Sequence, residues 1–333
     1  LGLIEEAARS ADPVLLVNPH DRAAPLEERG RSYLHANCSH CHKPGSTGSV
    51  TMYWPVEFDE ERTGAFDVAP VRGAFEIADA RILSPGHASR STLLYRMVTT
   101  GTGRMPAVGS REVDEAGVKL LREWIDSMPS TTPVTTTTGA SMEETDSLLR
   151  DAIDAIDMPQ ANRAERARLA AVSPNPLTRD LFQRFLPADQ RRQVLGSGFS
   201  PEVVLQLQGD RESGQTLFHG PSGPQCFTCH RVEGRGGELG PDLSDIGTRY
   251  SRVQVLAHII KPNSLVDARW KLHVIETNDG KTHSGFVSGS DADRVSLKTI
   301  LGEDLTIPKV SIRSDQEVPT GLMPEGTLDN LTA

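Results

Sequence analysis

Apolar residues recur at helical spacing through the first part of the chain. These runs predict three helices within residues 20–128: Leu26–Asn37, Ser91–Val98 and a last helix that follows Asp114. Asp114 has the side chain of a helix N-cap, and Pro129 ends the last run. The three helices define a first domain over residues 20–128.

A change of composition follows this domain. Residues 129–141 combine stacked threonines with Pro and Gly, a composition that buries little and resists helix formation, so we expect a linker there. Helical spacing returns in residues 142–208, for example at Leu149, Ile153 and Ile156. We interpret this region as a helical bridge that packs on the domain after it.

In residues 209–333 the apolar spacing changes from helical to strand-like. Helices are predicted near Gly214–Phe218 and over Arg252–Ile260, and a period of two begins at about residue 270. An Asn-Asp-Gly turn at 278–280 predicts a hairpin, and a small antiparallel β insertion extends to about residue 314. The predicted strands are Lys271–Thr277, Thr282–Ser288, Val295–Thr299 and Leu305–Ile312. The predicted fold is therefore mainly α, with two small domains joined by a Thr-rich linker and a helical bridge.

Charge and hydropathy exclude several classes of protein. The 333 residues carry a net charge of −10, so no basic field is present to attract nucleic acid. No apolar run reaches the roughly 18 residues that a membrane span needs. Leu1–Pro13 lacks the basic start and apolar run of a signal peptide, so we expect a mature or trimmed chain.

All four cysteines fall in two copies of the pattern Cys-x-x-Cys-His. The copies are Cys38, Cys41 and His42, and Cys226, Cys229 and His230. Two thiols one turn apart can add across the vinyl groups of a haem, and the adjacent imidazole can ligate its iron. This pattern is typical of covalent haem c attachment, and we predict two haems c.

The cysteines allow two other interpretations. One zinc site could use all four thiols, but the pairs lie far apart in sequence compared with the short spacing of zinc ribbons. Thiol–disulfide exchange could use either pair, but no thioredoxin-like βαβ pattern surrounds them. The histidine after each pair favours haem.

Each iron also needs a sixth ligand or an open face. Met105 and Met323 each precede a proline in a Gly-rich stretch, and a thioether ligand would raise the reduction potential. The alternative for any methionine is core packing. Bis-histidine ligation also stays open, with these other histidines in the two domains: His35, His40, His87, His219, His258, His273 and His283.

Further polar residues could support the haems. Residues 240–243, Gly-Pro-Asp-Leu, predict a turn whose carbonyl oxygen could accept the second ring N–H of His230. Arg104, Arg249 and Tyr250 could bond haem propionates, with ordinary surface packing as the alternative.

The residues that carry these motifs resemble a known family. Residues 177–333 resemble the haem-binding domain of class I cytochrome c type that recurs in large planctomycete and verrucomicrobial proteins. The resemblance rests on Leu181–Pro187, Cys226–His230, Gly240–Gly247 and Leu322–Gly326. Residues 20–128, with Arg31–Cys38 and Arg104–Pro106, are similar to cytochrome c modules of the same kinds of protein.

The resemblance implies two covalent haems with His/Met ligation. It makes His42 and His230 the proximal ligands, Met105 and Met323 the distal ones, and Pro241 the carbonyl that holds His230. The first domain has no Gly-Pro-x-Leu run, so the support of His42 is unassigned. The second reaches Ala333 without the terminal helix expected of such folds. Haem c attachment implies a periplasmic or extracellular protein.

The predicted function is electron transfer rather than enzymatic catalysis. The chain would accept electrons from one redox protein and pass them to another, alone, beside a dehydrogenase, or as a self-assembling unit of a haem wire. A dihaem peroxidase is one alternative, which needs an iron without a sixth ligand. A docking subunit of a dehydrogenase complex, bound through an edge of the β insertion, is the other.

Overall fold

A computed structural model describes residues 15–44, 52–71, 73–106, 112–130, 140–173, 175–196, 198–220, 224–264, 266–299 and 302–331. The helices within these residues are α1 Leu26–Cys38, α2 Glu60–Thr63, α3 Thr92–Val98, α4 Glu115–Ser127, α5 Ala140–Asp154, α6 Gln160–Ala171, α7 Pro176–Phe182, α8 Pro201–Leu205, α9 Arg211–His219, α10 Ile246–Arg249 and α11 Arg252–Ile260. The strands are β1 Arg231–Val232, β2 Arg235–Gly236, β3 Leu272–Thr277, β4 Thr282–Ser290, β5 Arg294–Thr299, β6 Asp304–Pro308 and β7 Ile312–Val318.

The first domain is organised by the contact between α1, which leads into the first cysteine pair, and α4. A Cβ atom at Gly30 of α1 would lie 2.5 Å from the Trp124 ring, and one at Gly117 of α4 would lie 2.2 Å from the Tyr33 ring. Both close contacts therefore require glycine. The predicted N-cap at Asp114 is confirmed, since its carboxylate accepts the Gly117 N–H at 3.0 Å and the Tyr33 hydroxyl at 2.8 Å.

Helices α5 to α7 of the bridge pack on the first domain, so our expectation that the bridge packs on the second is wrong for these helices. The end of the bridge does contact the second domain, since Arg252 donates to the carbonyl oxygens of Val204, at 3.1 Å, and Leu207, at 2.8 Å. Leu149 of α5 and Leu177 and Leu181 of α7 are buried in one core with α1, α3 and α4. Arg184, just after α7, donates to the carbonyl oxygen of Val98 at 2.9 Å. Helical periodicity identifies the apolar face of a helix but not its partner, which depends on contacts between distant segments.

The helices around the second cysteine pair bury very little. Within the described parts of residues 198–264, Leu256 is the only residue in the buried class. Leu217, Tyr250 and Val253 are exposed although their side chains are largely apolar. A short antiparallel ladder of β1 and β2 follows the second motif, and the sequence pattern did not predict it.

The β insertion is an antiparallel sheet in the order β6-β5-β4-β3-β7. The predicted hairpin is confirmed as β3 and β4, which pair around the turn at Gly280. The predicted strand Leu305–Ile312 is wrong, because a 3-10 turn at Lys309–Ser311 divides it after Pro308. The chain then continues as β7, which pairs with β3 at the other edge and makes five strands.

The prediction of a mainly α fold is only partly confirmed, because helices account for 40% of the residues and strands for 15%. Most of the predicted linker at 129–141, and the first fourteen residues, lie outside the described residues. Across the described parts of the chain, no helix has both the length and the apolar character needed to cross a membrane.

Candidate haem sites

Both Cys-x-x-Cys-His motifs fold into the same backbone turn. In each copy, the N–H of the second cysteine lies 3.2 Å, and that of the histidine 2.9 Å, from the carbonyl oxygen of the first cysteine. The first turn begins at the end of α1, at Cys38, and the second is a 3-10 turn that starts at Cys226. The surroundings differ, so the motif itself sets this local geometry.

None of the four cysteines forms a disulfide, and the environment of the first cysteine in each pair does not suit thiol–disulfide exchange. Burial raises the pKa of Cys38 to about 12, with a smaller contribution from Cys41, and burial also raises the pKa of Cys226. Redox-active cysteines instead have lowered pKa values. Among the described residues, no three His, Cys, Asp or Glu side chains gather as a metal cluster, so the two pairs do not share one zinc site.

His230 is oriented by the loop that follows its motif. Its Nδ1 lies 2.9 Å from the carbonyl oxygen of Pro241, the contact that the resemblance implies. A Cβ atom at Gly240 would lie 2.7 Å from Cε1 of the same ring, so the loop backbone packs directly on the imidazole. This arrangement leaves Nε2 as the ring nitrogen available to a metal.

His42 in the first domain has no matching support. Burial lowers its pKa to about 4, partly opposed by the Met52 backbone, so the ring is neutral at pH 7, which is the form that binds iron. Nδ1 of His42 is buried and finds no partner of normal hydrogen-bond geometry within the described residues. The backbone is held, because the His42 carbonyl oxygen accepts the Trp54 N–H at 2.9 Å.

Met105 lies on a loop that is tightly bonded to the first domain. Its backbone N–H donates to the carbonyl oxygen of Arg96 at 2.8 Å, and its side chain is partly exposed. Arg104 is buried and donates to the carbonyl oxygens of Thr99, at 3.0 Å, and Glu112. The loop is therefore preformed. The role of Arg104 at a propionate stays a prediction, while its contacts here hold the loop together.

The two residues before Met323 contact the sheet and the loop after α11. Next to Met323, Leu322 is buried in a small cluster with Leu272 and Phe286 of the sheet, and Leu239, just before the Pro241 loop, packs on the same cluster. Asn263, which follows α11, accepts the N–H of Gly321 at 3.1 Å. The sheet therefore supports both the Met323 segment and the loop that orients His230. Sequence reasoning missed Asn263 and this role of the sheet.

Four of the seven histidines that could replace methionine as ligands have other contacts. His35 Nδ1 accepts the Val56 N–H at 3.0 Å. The remaining contacts are His87 Nε2 to Ser130 Oγ at 3.1 Å, His273 Nδ1 to Asp315 Oδ1 at 2.9 Å, and the ring of His258 against that of Tyr250 at 5.3 Å. Arg249, a propionate candidate, donates to the Asp242 carbonyl oxygen at 2.8 Å. Each residue is thus explained by protein contacts.

The residues fit covalent haem at both motifs. Each offers two thiols outside any disulfide and an imidazole in a single turn, which is the donor set that haem c requires. In the second domain, exposed apolar side chains such as Leu217 lie on the helices that flank the motif. An apolar macrocycle is suited to cover them.

Two family models match separate parts of the chain. Residues 25–125 match the model described as cytochrome c oxidase, cbb3-type, subunit III, and residues 212–296 match the model described as cytochrome c. Each matched segment contains one Cys-x-x-Cys-His motif. No curated protein matches the chain. The matches support two cytochrome c-like domains, which imply covalently bound haem c and electron transfer.

Proposed function

We propose that this chain, with its two cytochrome c-like domains, is a dihaem electron relay in which both irons have one histidine and one methionine ligand. His42 and Met105 would serve the first haem, and His230 and Met323 the second. The observation that carries the proposal is the repeated turn. In both motifs, the backbone N–H of the histidine donates a hydrogen bond of 2.9 Å to the carbonyl oxygen of the first cysteine.

Each group of residues has a defined task in this proposal. Bound haem iron supplies one-electron exchange between its ferric and ferrous states. The thiols of Cys38, Cys41, Cys226 and Cys229 anchor the two haems. The Pro241 carbonyl oxygen orients His230 and makes its imidazole a stronger donor. Thioether sulfur is a soft, weak ligand that favours ferrous iron, so Met105 and Met323 would raise both potentials.

A relay between two haems is supported by the contact of the two domains beside the second motif. The side chain of Gln225, just before Cys226, packs closely on Gly73. A Cβ atom at position 73 would lie 2.3 Å from Nε2 of Gln225. A cleft of about 560 Å³ is lined by Phe75 of the first domain and by Phe227 from within the second motif. Phe75 also packs against Gly103 of the Met105 loop. Aromatic and backbone groups thus connect the Met105 loop with the second motif.

For partners, we propose a redox donor and a redox acceptor, at least one with a basic docking patch. The net charge of −10 favours such a surface, and haem propionates would make the chain more acidic. A dehydrogenase subunit or further copies of this chain in a haem wire are the assemblies we propose. The location would be periplasmic or extracellular, because haem c is attached outside the cytoplasm.

An optical spectrum of matured protein, with a haem count and an intact mass, tests the function. We expect two covalent haems and, in the oxidised protein, a charge-transfer band from methionine to low-spin iron. Replacing Cys38 and Cys41 by serine should remove one haem, and replacing Cys226 and Cys229 should remove the other. A colourless protein would overturn the proposal. High-spin iron with peroxide turnover would instead favour the dihaem peroxidase.

A further inference from the structure

A buried carboxylate of the helical bridge reaches into the loop that carries Met105, residues 99–105. Asp180 of α7 is only 2% exposed. Its backbone carbonyl oxygen accepts both the N–H of Thr100, at 3.0 Å, and the Thr100 hydroxyl, at 2.8 Å. Its carboxylate is hydrogen-bonded by the backbone of Thr102. One residue of the bridge therefore holds the Met105 loop at two positions, Thr100 and Thr102.

The loop has a glycine where the carboxylate lies. A Cβ atom at Gly101 would lie 1.7 Å from Oδ2 of Asp180, closer than any non-bonded contact allows. A side chain at position 101 would therefore displace either the loop or α7. The carboxylate and the loop backbone are fitted to each other.

The same carboxylate pairs with an arginine that contacts the end of the second domain. Nη2 of Arg192 lies 3.3 Å from Oδ1 of Asp180 and donates to the Asn330 carbonyl oxygen at 3.1 Å. Two backbone bonds reinforce this junction, from Leu195 N–H to the Leu331 carbonyl oxygen and from Gly196 N–H to that of Asp329, both 2.8 Å. Asn330 belongs to the Met323 segment, residues 322–331.

The two partners of this pair differ in burial, since Asp180 is almost fully buried and the Arg192 side chain is partly exposed. Within the described residues, Oδ1 of Asp180 and Nε of Arg192 are buried and make no hydrogen bond. Burial raises the pKa of Asp180, whereas Arg192 and Arg179 lower it. When Arg192 is removed, the buried Asp180 carboxylate loses its ion-pair partner, so we expect the surrounding loops to rearrange at a cost in stability.

We propose that Asp180 and Arg192 are positioning residues for the distal ligands, in which one ion pair, with a buried carboxylate and a partly exposed arginine, holds both the Met105 loop and the Met323 segment closed. This inference rests on the proposed ligation by Met105 and Met323. Methionine is a weak iron ligand, so its occupancy depends on how firmly its loop is held. An opened loop would let an external ligand take the sixth position.

Imidazole binding to the oxidised dihaem protein tests this proposal. Met105→Ala and Met323→Ala are measured first. Each variant should make one haem bind imidazole tightly, which identifies the part of the optical titration that belongs to that haem. We then expect Asp180→Asn to raise the imidazole affinity of the first haem about tenfold. Arg192→Gln should do the same and should also raise the affinity of the second haem. The double variant should add little to either single change.

A matched control comes from another ion pair of the bridge. Asp151 pairs with Arg166 at 2.8 Å, away from both methionine loops, so Asp151→Asn should leave both affinities unchanged. Circular dichroism checks that each variant keeps its helices. If the Asp180→Asn protein does not accumulate, the Arg192→Gln variant tests the proposal. The Arg192 side chain is 31% exposed, so its replacement is tolerated more easily.

The outcomes separate the inference from the function on which it rests. If Met105→Ala leaves imidazole binding unchanged, ligation by Met105 is wrong. If Met105→Ala acts but neither Asp180→Asn nor Arg192→Gln does, the positioning role is overturned. A response to Arg192→Gln at the first haem alone would overturn the link to the Met323 segment.

Discussion

The two halves of the chain bury their apolar side chains to very different extents. In the first half, α1, α3, α4 and the helical bridge share one continuous core, which includes Leu34, Leu94 and Ile153. In the second half, the helices around Cys226–His230 bury only Leu256 among the described residues of 198–264. The other buried side chains there lie in two small clusters of the sheet and its surroundings.

The difference indicates what stabilises each half. Each large apolar side chain buried in the first half contributes about 1.5–3 kcal/mol, so this half gains much of its stability from its own residues. The helices of the second half lack such a core and leave Leu217 and Val253 exposed. We therefore expect the second haem to act as the core of its domain, with the sheet as a rigid support beside it.

Loss of the second haem should give the largest effect. With Cys226 and Cys229 replaced by serine, residues 209–264 should become sensitive to protease, because little else covers their apolar surface. The same replacement at Cys38 and Cys41 should leave α3, α4 and the bridge resistant. Limited proteolysis with mass spectrometry locates the cuts. Equal sensitivity of the two variants in these regions would contradict the comparison.

Truncation in the bridge should reveal the shared core of the first half. Leu181 is fully buried, so Leu181→Ala should lower the free energy of unfolding by about 2–5 kcal/mol. Denaturant unfolding followed by the fluorescence of Trp54 and Trp124, which lie in the first domain, should report the whole loss. Leu169→Ala, at a side chain 66% exposed, should change little. A bridge that unfolds by itself would contradict the shared core.

A methyl group beside His230 tests how the second haem is held. In Gly240→Ala the new Cβ would meet the imidazole, and the overpacking should cost about 1–3 kcal/mol. The ring would tilt, so we expect the reduction potential of the second haem to shift while the first stays unchanged. Gly247→Ala is the matched control, since nothing lies within 4 Å of a Cβ there. A redox titration of each variant measures both potentials.

Removal of helix caps should give the smallest effect. Asp114 caps α4 and Ser251 caps α11, and replacement of either by alanine should cost about 1 kcal/mol. Asp114→Ala should be the more damaging, because it also removes the acceptor of the buried Tyr33 hydroxyl. Denaturant unfolding compares the two variants. A larger loss for Ser251→Ala would indicate that the second half depends on its helices more than we infer.

Local signals in the sequence predicted much of the fold and the centre of each site. The bounds predicted for Arg252–Ile260 match α11, and the Asn-Asp-Gly turn identified the hairpin of β3 and β4. These features depend on residues close in sequence. Asp180 was missed, although a charged residue beside Leu181, on the apolar face of a predicted helix, is a signal that could have drawn attention to it.

The sequence by itself determined the two Cys-x-x-Cys-His turns, because a five-residue motif forms its own hydrogen bonds in either domain. Only the tertiary structure decided that α5 to α7 of the bridge pack on the first domain and that β7 crosses to the far edge of the sheet. It alone also placed Asp180 and Arg192 between the two methionine loops. Contacts between distant segments depend on which apolar faces pack against each other. The periodicity of one segment shows its own apolar face but does not indicate which other segment covers that face.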